Sequence, residues 1–128
     1  SSLFYAGCCD DEQTKATVNK LYKQNNYLCD THTAVAYKVY EEYTQKQKDN
    51  RPCVIVSTAS AYKFASDVLN AVDTSLNLDG VEAMNMLQKI TDVSIPAPLK
   101  DLDKKPVRFK GAVEVSQMDD AVFGFLGI

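Results

Sequence analysis

Apolar positions recur at helical spacing in several stretches of this chain and run together without interruption in one. Asp10 followed three residues later by Gln13 has the form of a capping box. The acidic Asp11-Glu12 suits the start of a helix carrying Ala16, Val18, Leu21 and Tyr22 to about Gln24, where Asn25-Asn26 stops it. Asp30 or Thr31 caps a second helix. Its first half, Ala34-Val35-Ala36-Tyr37 with Val39 and Tyr40, is apolar nearly all round and is expected to be deeply buried. Its second half, from Glu41 to Lys48, is polar. Cys53 to Val56 is then a continuous, β-branched apolar run, which predicts a strand buried on both faces. Beyond it, Ala61, Ala65, Val68, Leu69 and Val72 share a helix face, with Ser60 as N-cap.

The remainder of the pattern is shorter. Asp79 and Glu82 form a capping-box pair ahead of Ala83, Met86, Leu87 and Ile90, spaced at i, i+3, i+4 and i+7. Pro96 and Pro98 interrupt the next stretch and leave a turn around Leu99–Leu102. Pro106 to Phe109 reads as an edge strand. Ser116 with Asp119 opens a last helix bearing Ala121, Val122, Phe125 and Leu126, and Gly127 ends it. Two helices, a strand and another helix predict an α/β class, with layered helices around a small, mostly parallel sheet. At 128 residues the chain is one domain.

In that arrangement Ser57, Thr58 and Ser60 stand where a buried strand ends and a helix begins, the crevice in which open α/β sheets hold ligands. Composition narrows the chemistry. A net charge of −3 without a basic cluster gives no electrostatic support for a nucleic acid or anionic membrane partner. The longest apolar run falls far short of the roughly 20 residues of a membrane span. Four cysteines without a C-x-x-C spacing argue against a zinc or disulfide framework and fit a reducing cytosol, with Cys53 acting as a small apolar side chain. The single histidine, His32, belongs to no metal-ligand or triad spacing, so the residues predict neither a metal site nor a catalytic side chain. Lys63, one turn into its helix, is expected to face solvent. The tyrosines at 37, 40 and 43 are expected in the core or at an interface.

Two segments carry a resemblance. Val56-Ser57-Thr58-Ala59-Ser60-Ala61-Tyr62-Lys63-Phe64-Ala65 resembles the Ser-Thr-Ala-(His or Ser)-Pro-x-Lys-Phe segment near the C-terminus of threonine synthases. Leu28-Cys29-Asp30-Thr31-His32-Thr33-Ala34-Val35-Ala36 is similar to that family's Asp-x-His-Thr-Ala-Val helix start. Both occur in the family's order and at about its spacing. Ala61 and Thr31 replace prolines common in the family, and Ser60 stands where many members have histidine.

The resemblance implies the C-terminal portion (residues 1–128) of a fold type II pyridoxal-phosphate enzyme that converts O-phospho-L-homoserine and water to L-threonine and phosphate in the cytoplasm. The chain begins Ser1-Ser2, which suggests a trimmed start, and the lysine that anchors the cofactor lies in an N-terminal part absent here. The fragment alone is therefore expected to be inactive, and its first partner is the rest of the same polypeptide.

In the family a Ser or Thr hydroxyl of this segment hydrogen-bonds the pyridine nitrogen of pyridoxal 5'-phosphate. Thr58 is the implied donor and Ser57 the alternate, since strand register decides which points inward. Read from the pattern alone, Thr58 satisfies a backbone group at a strand end. His32 and Thr33 take either a structural or a cofactor-side position. Three alternatives stay open: a threonine-synthase-like phospho-lyase with another substrate, a non-catalytic regulatory domain, and an interaction module whose tyrosine-rich helix forms a homodimer face.

Overall fold

The computed structural model describes residues 3–108 and 110–128. Among these residues five α-helices succeed one another: α1 (Asp11–Asn25), α2 (Thr31–Gln47), α3 (Ala65–Val72), α4 (Gly80–Thr91) and α5 (Met118–Leu126). Short 3-10 turns lie at Ala61–Phe64, Leu102–Lys104 and Val115–Gln117. Helix α3 is the hub, packed between α1 on one side and α4 on the other, while α2 lies along α1. Val18, Val68, Leu69, Ala83 and Leu87 are sealed from solvent, and Tyr62, Ala65 and Ala71 close the core around them.

Local chemistry sets several helix ends. At α1 the Asp10 carboxylate accepts from the Gln13 N–H at 2.8 Å, and the Gln13 side chain accepts from the Asp10 N–H at 3.1 Å. Asn26 then ends the helix with a left-handed φ of 52°. Asp30 caps α2 by accepting from the His32 N–H at 2.9 Å and the Thr33 N–H at 3.3 Å. The C-terminal carbonyls of α3 are capped across the core: the Asn19 side-chain amide of α1 donates to Ala71 at 2.7 Å and Val72 at 3.3 Å. An ion pair between Lys20 and Glu41 ties α1 to α2. The N-terminal segment also lies on α2, where Tyr5 meets Tyr43 edge-on at 5.0 Å. At Gly7 a Cβ would fall 3.0 Å from a Val39 methyl, so the close approach there calls for glycine.

The α/β expectation is overturned: among the described residues there is no strand and no sheet, and the architecture is helical. Cys53 to Val56 is an irregular segment whose backbone makes no hydrogen bond to another segment among the described residues. Cys53 is exposed, and Val54 and Val56 are 86% and 72% exposed, where a strand buried on both faces was expected. The run has strand composition, but a strand exists only with a ladder partner, and no described segment supplies one. Residues 106–108 form no edge strand either, and Phe109 lies outside the described residues.

Smaller differences have local causes. The first half of α2 buries only Thr33 and Ala34, because α1 covers one side of it and nothing comparable covers the other. Ala16 faces solvent. Ser60 does cap, accepting from the Tyr62 N–H at 3.3 Å, but the turn it opens is 3-10 and the α-helix starts at Ala65. Asp79 makes no side-chain capping bond, since Gly80 enters α4 with a left-handed φ of 54° that an ordinary capping box lacks. Ahead of α5 the reciprocal contact comes from Glu114, whose N–H donates to the Gln117 side chain at 3.4 Å, and Ser116 with Asp119 plays no such part. Gly127 ends α5 with a left-handed φ of 73°, as expected.

This packing sets the cost of truncation. Leu69→Ala or Leu87→Ala is expected to destabilise by about 2–5 kcal/mol in urea unfolding. Val54→Ala, at a position that the strand expectation would have made equally costly, is expected to change stability by less than about 0.5 kcal/mol. Acid adds a second prediction. Burial of the Asp30 carboxyl disfavours its charge, but bonds from the Thr33 hydroxyl and from the Thr33 and His32 N–H groups outweigh this and hold it below its ordinary 3.8. A folded value lowered in this way contributes stability above pH 3.8, and that contribution is lost as pH falls through the lower folded value. Below pH 3.8, the urea midpoint of the unmodified chain should therefore fall more steeply than that of Asp30→Asn. Parallel acid limbs would remove this assignment.

Candidate functional site

Asp30 is almost wholly withdrawn from solvent, at 1% exposure, and its two oxygens face different groups. Oδ1 receives the backbone N–H groups of His32 and Thr33 and lies 3.4 Å from the His32 Nδ1. Oδ2 receives the Thr33 hydroxyl, and the Ser57 hydroxyl stands 3.4 Å from it. The Thr33 and Ser57 oxygens are themselves 3.0 Å apart, and Ser57 also reaches the Ala59 carbonyl at 3.3 Å. Residues 24 to 27 positions apart in sequence thus meet at one carboxylate. The Asp-Thr-His-Thr helix start and the Ser-Thr-Ala-Ser segment form one constellation. Its net charge is negative, since Asp30 stays ionised well into the acid range.

Ser57 and Thr58, the expected cofactor contacts, are both exposed, and they differ in what surrounds them. A hydroxyl carries one proton, and every neighbour of the Ser57 oxygen (Asp30, Thr33 and the Ala59 carbonyl) can take it. The Thr58 hydroxyl has no partner among the described residues. It therefore does not satisfy the backbone group that the sequence pattern offered as its alternative.

His32 lies over Phe64 with ring centroids 4.9 Å apart, so the helix start also touches the 3-10 turn next to the hydroxyl segment. Lys63 is exposed. It lines an open hollow of about 530 Å³ with Tyr62, Phe64, Asp67, Gly80 and Met84, between the start of α3 and the start of α4. Neither Ser57 nor Thr58 lines that hollow. The Tyr62 hydroxyl donates to the Val93 carbonyl, and burial raises its pKa. Cys29, next to Asp30, is buried, and its thiol is pushed up to about 11 by burial and then by the Asp30 charge.

A second open hollow, of about 360 Å³, is lined by Tyr40, Tyr43, Asp49, Arg51 and Cys53. There the Arg51 guanidinium spans Asp49 with Nε at 2.9 Å and Nη2 at 2.6 Å, and the Tyr43 hydroxyl donates to Asp49 at 2.7 Å. The Arg51 and Tyr43 bonds hold the Asp49 carboxyl far below the usual carboxylate range. Tyr37, Tyr40 and Tyr43 are half-buried on α2. Among the described residues no group of three or more His, Cys, Asp or Glu side chains could hold a metal ion, and no helix is long and apolar enough to cross a membrane.

Asp30 and Thr33 are the residues that the sequence pattern undervalued. Asp30 read as one of two rival caps, yet it is the meeting point of the constellation. The available signal was the hydroxyl at position N3 of a helix whose N-cap is a carboxylate.

Comparison with known proteins places the chain in a family. Residues 33–122 match the family described as "Threonine synthase, C-terminal". Threonine synthase-like 2 of Xenopus laevis is 32% identical over 99 residues, which is 77% of this chain and 17% of that protein. Threonine synthase-like 1 of Homo sapiens and of Pongo abelii are each 35% identical over 69 residues, 54% of this chain and 9% of theirs. The chain thus spans a small fraction of the curated relatives it matches. With most of its length inside the match, Thr33 and Ser57 included, the chain belongs to the threonine synthase C-terminal family.

Proposed function

We propose that this chain is the C-terminal part of a longer, cytoplasmic, pyridoxal-phosphate-dependent enzyme of the threonine synthase type, in which Thr58 forms part of the cofactor site. The reaction is the conversion of O-phospho-L-homoserine and water to L-threonine and phosphate. The observation that carries the reading is the junction at Asp30. It brings together the two segments that resemble threonine synthases and leaves the Thr58 hydroxyl exposed beside them, unpaired among the described residues.

Bound pyridoxal phosphate supplies the electron sink for charge that develops beside the substrate amino group. Thr58 would hold the ring nitrogen by a hydrogen bond from its hydroxyl without transferring the proton, which would keep that sink moderate. An aspartate there would hold the nitrogen protonated. Ser57, engaged with Asp30 and Thr33, supports the adjoining backbone instead. The lysine that anchors the cofactor and the groups that hold the substrate phosphate belong to the rest of the polypeptide. That remainder also covers the apolar side chains left outside the core, Val54 and Val56 on one segment and Phe123 and Leu126 on α5.

A second reading keeps the chemistry and changes the substrate to another γ-phosphorylated amino acid. The description of the matching relatives as threonine synthase-like favours it. Phosphate release from O-phospho-L-homoserine by the longer polypeptide, with threonine formed in equal amount, separates the two.

The test of Thr58 is made in that longer polypeptide. Loss of a buried hydrogen-bond donor costs about 1–3 kcal/mol, so Thr58→Val should weaken cofactor retention by roughly ten- to a hundredfold. It should also shift the visible absorbance of the bound cofactor, while Thr58→Ser keeps both. A Thr58→Val variant with unchanged absorbance and retention would refute the assignment.

A further inference from the structure

We propose that Asp30 is a positioning residue: with Thr33 it forms a latch that fixes the Ser57–Thr58 segment onto the N-terminus of α2 and so sets where the Thr58 hydroxyl points. The segment needs such a device. From residue 53 to 58 its backbone makes no hydrogen bond to another segment among the described residues, so neither a ladder nor a helix defines its path. The ties shown on its far side are the Ser57 hydroxyl contacts with Thr33 at 3.0 Å and with Asp30 at 3.4 Å.

The two oxygens of Asp30 divide the work. Oδ1 serves the helix, as any N-cap would, through the His32 and Thr33 N–H groups. Oδ2 has no part in capping. It takes the Thr33 hydroxyl and faces that of Ser57, an extra outlet that an isolated cap does not need. The charge of the carboxylate strengthens bonds from neutral donors, and at 1% exposure the carboxylate itself is withdrawn from water. The latch also closes on itself. The Thr33 proton is committed to Asp30, so its oxygen is left to accept, and Ser57 is the donor within reach. His32, lying between Asp30 and Phe64, adds an apolar contact to the neighbouring 3-10 turn.

The experiment uses the 128-residue chain itself, labelled with nitrogen-15, with the backbone order of residues 57–59 read from NMR relaxation. Ser57→Ala and Thr33→Val each remove one member of the latch and leave the Asp30 cap on the His32 N–H in place. In both variants the order parameters at residues 57–59 should drop from about 0.85 to below about 0.6 while those within α2 hold. Thr33→Ser, which keeps the hydroxyl, should restore them. Unchanged order at 57–59 in both variants overturns the latch. Equal loosening of α2 and the segment also overturns it, because Asp30 would then be a cap and nothing more.

The aim of Thr58 at a cofactor ring rests on the reading proposed above, but the latch does not. Loosening at 57–59 in the chain, with no effect of Thr58→Val on cofactor absorbance in the longer polypeptide, would keep the latch and discard the ring contact.

Discussion

A carboxylate buried at the start of a helix is the constraint on which the rest of this arrangement depends. Taking an ionised group out of water is costly unless donors surround it, and Asp30 collects two backbone N–H groups and the Thr33 hydroxyl, with the Ser57 hydroxyl close by. Each donor is thereby held in place. Remove the charge and four groups from two distant stretches lose their reason to converge. The helical core could survive that loss, because Val68, Leu69 and Leu87 are packed by other contacts. The surface that the site presents could not keep its present shape.

The core has its own logic. Helix α3 has only eight residues, too few to be stable alone, and it persists because both of its neighbours lean on it. Its last carbonyls are satisfied by Asn19 from α1 rather than by a residue of its own. A short helix closed by a long neighbour makes α1 and α3 one unit, and the hydroxyl segment enters that unit through the 3-10 turn at Ala61–Phe64. The loop carrying Ser57 and Thr58 is thus anchored at both ends to well-packed structure, at the Asp30 latch on one side and at the buried Tyr62 on the other.

The features legible in the sequence were those set by neighbouring residues. The Asp10 and Gln13 capping box, the stop at Asn26, the Ser60 cap and the final Gly127 are each decided within a few residues, and each is present in the structure. The apolar face of α3 and the buried Ala83 and Leu87 of α4 were equally readable, because helical spacing selects a side. What failed was non-local. The Cys53–Val56 run has the residues of a strand, but strand formation depends on a second stretch of backbone elsewhere. The all-round apolar start of α2 indicated burial, yet burial depends on how many neighbours exist, and here α1 covers one side. In the candidate site Ser57, Thr58 and His32 were visible as residue types. That an aspartate 27 positions before Ser57 would join them was not, since no local rule links the two.

The four free cysteines divide by surroundings in a way that bears on handling the molecule. Cys29 sits in the core with its thiolate disfavoured, so thiol reagents at neutral pH should pass it by. Cys8 and Cys53 lie open to solvent, and Cys9 is partly screened beside the Thr14 hydroxyl. A maleimide dye would therefore mark the faces outside the helical core and leave the neighbour of Asp30 untouched. Fluorescence could then be attached without disturbing the carboxylate.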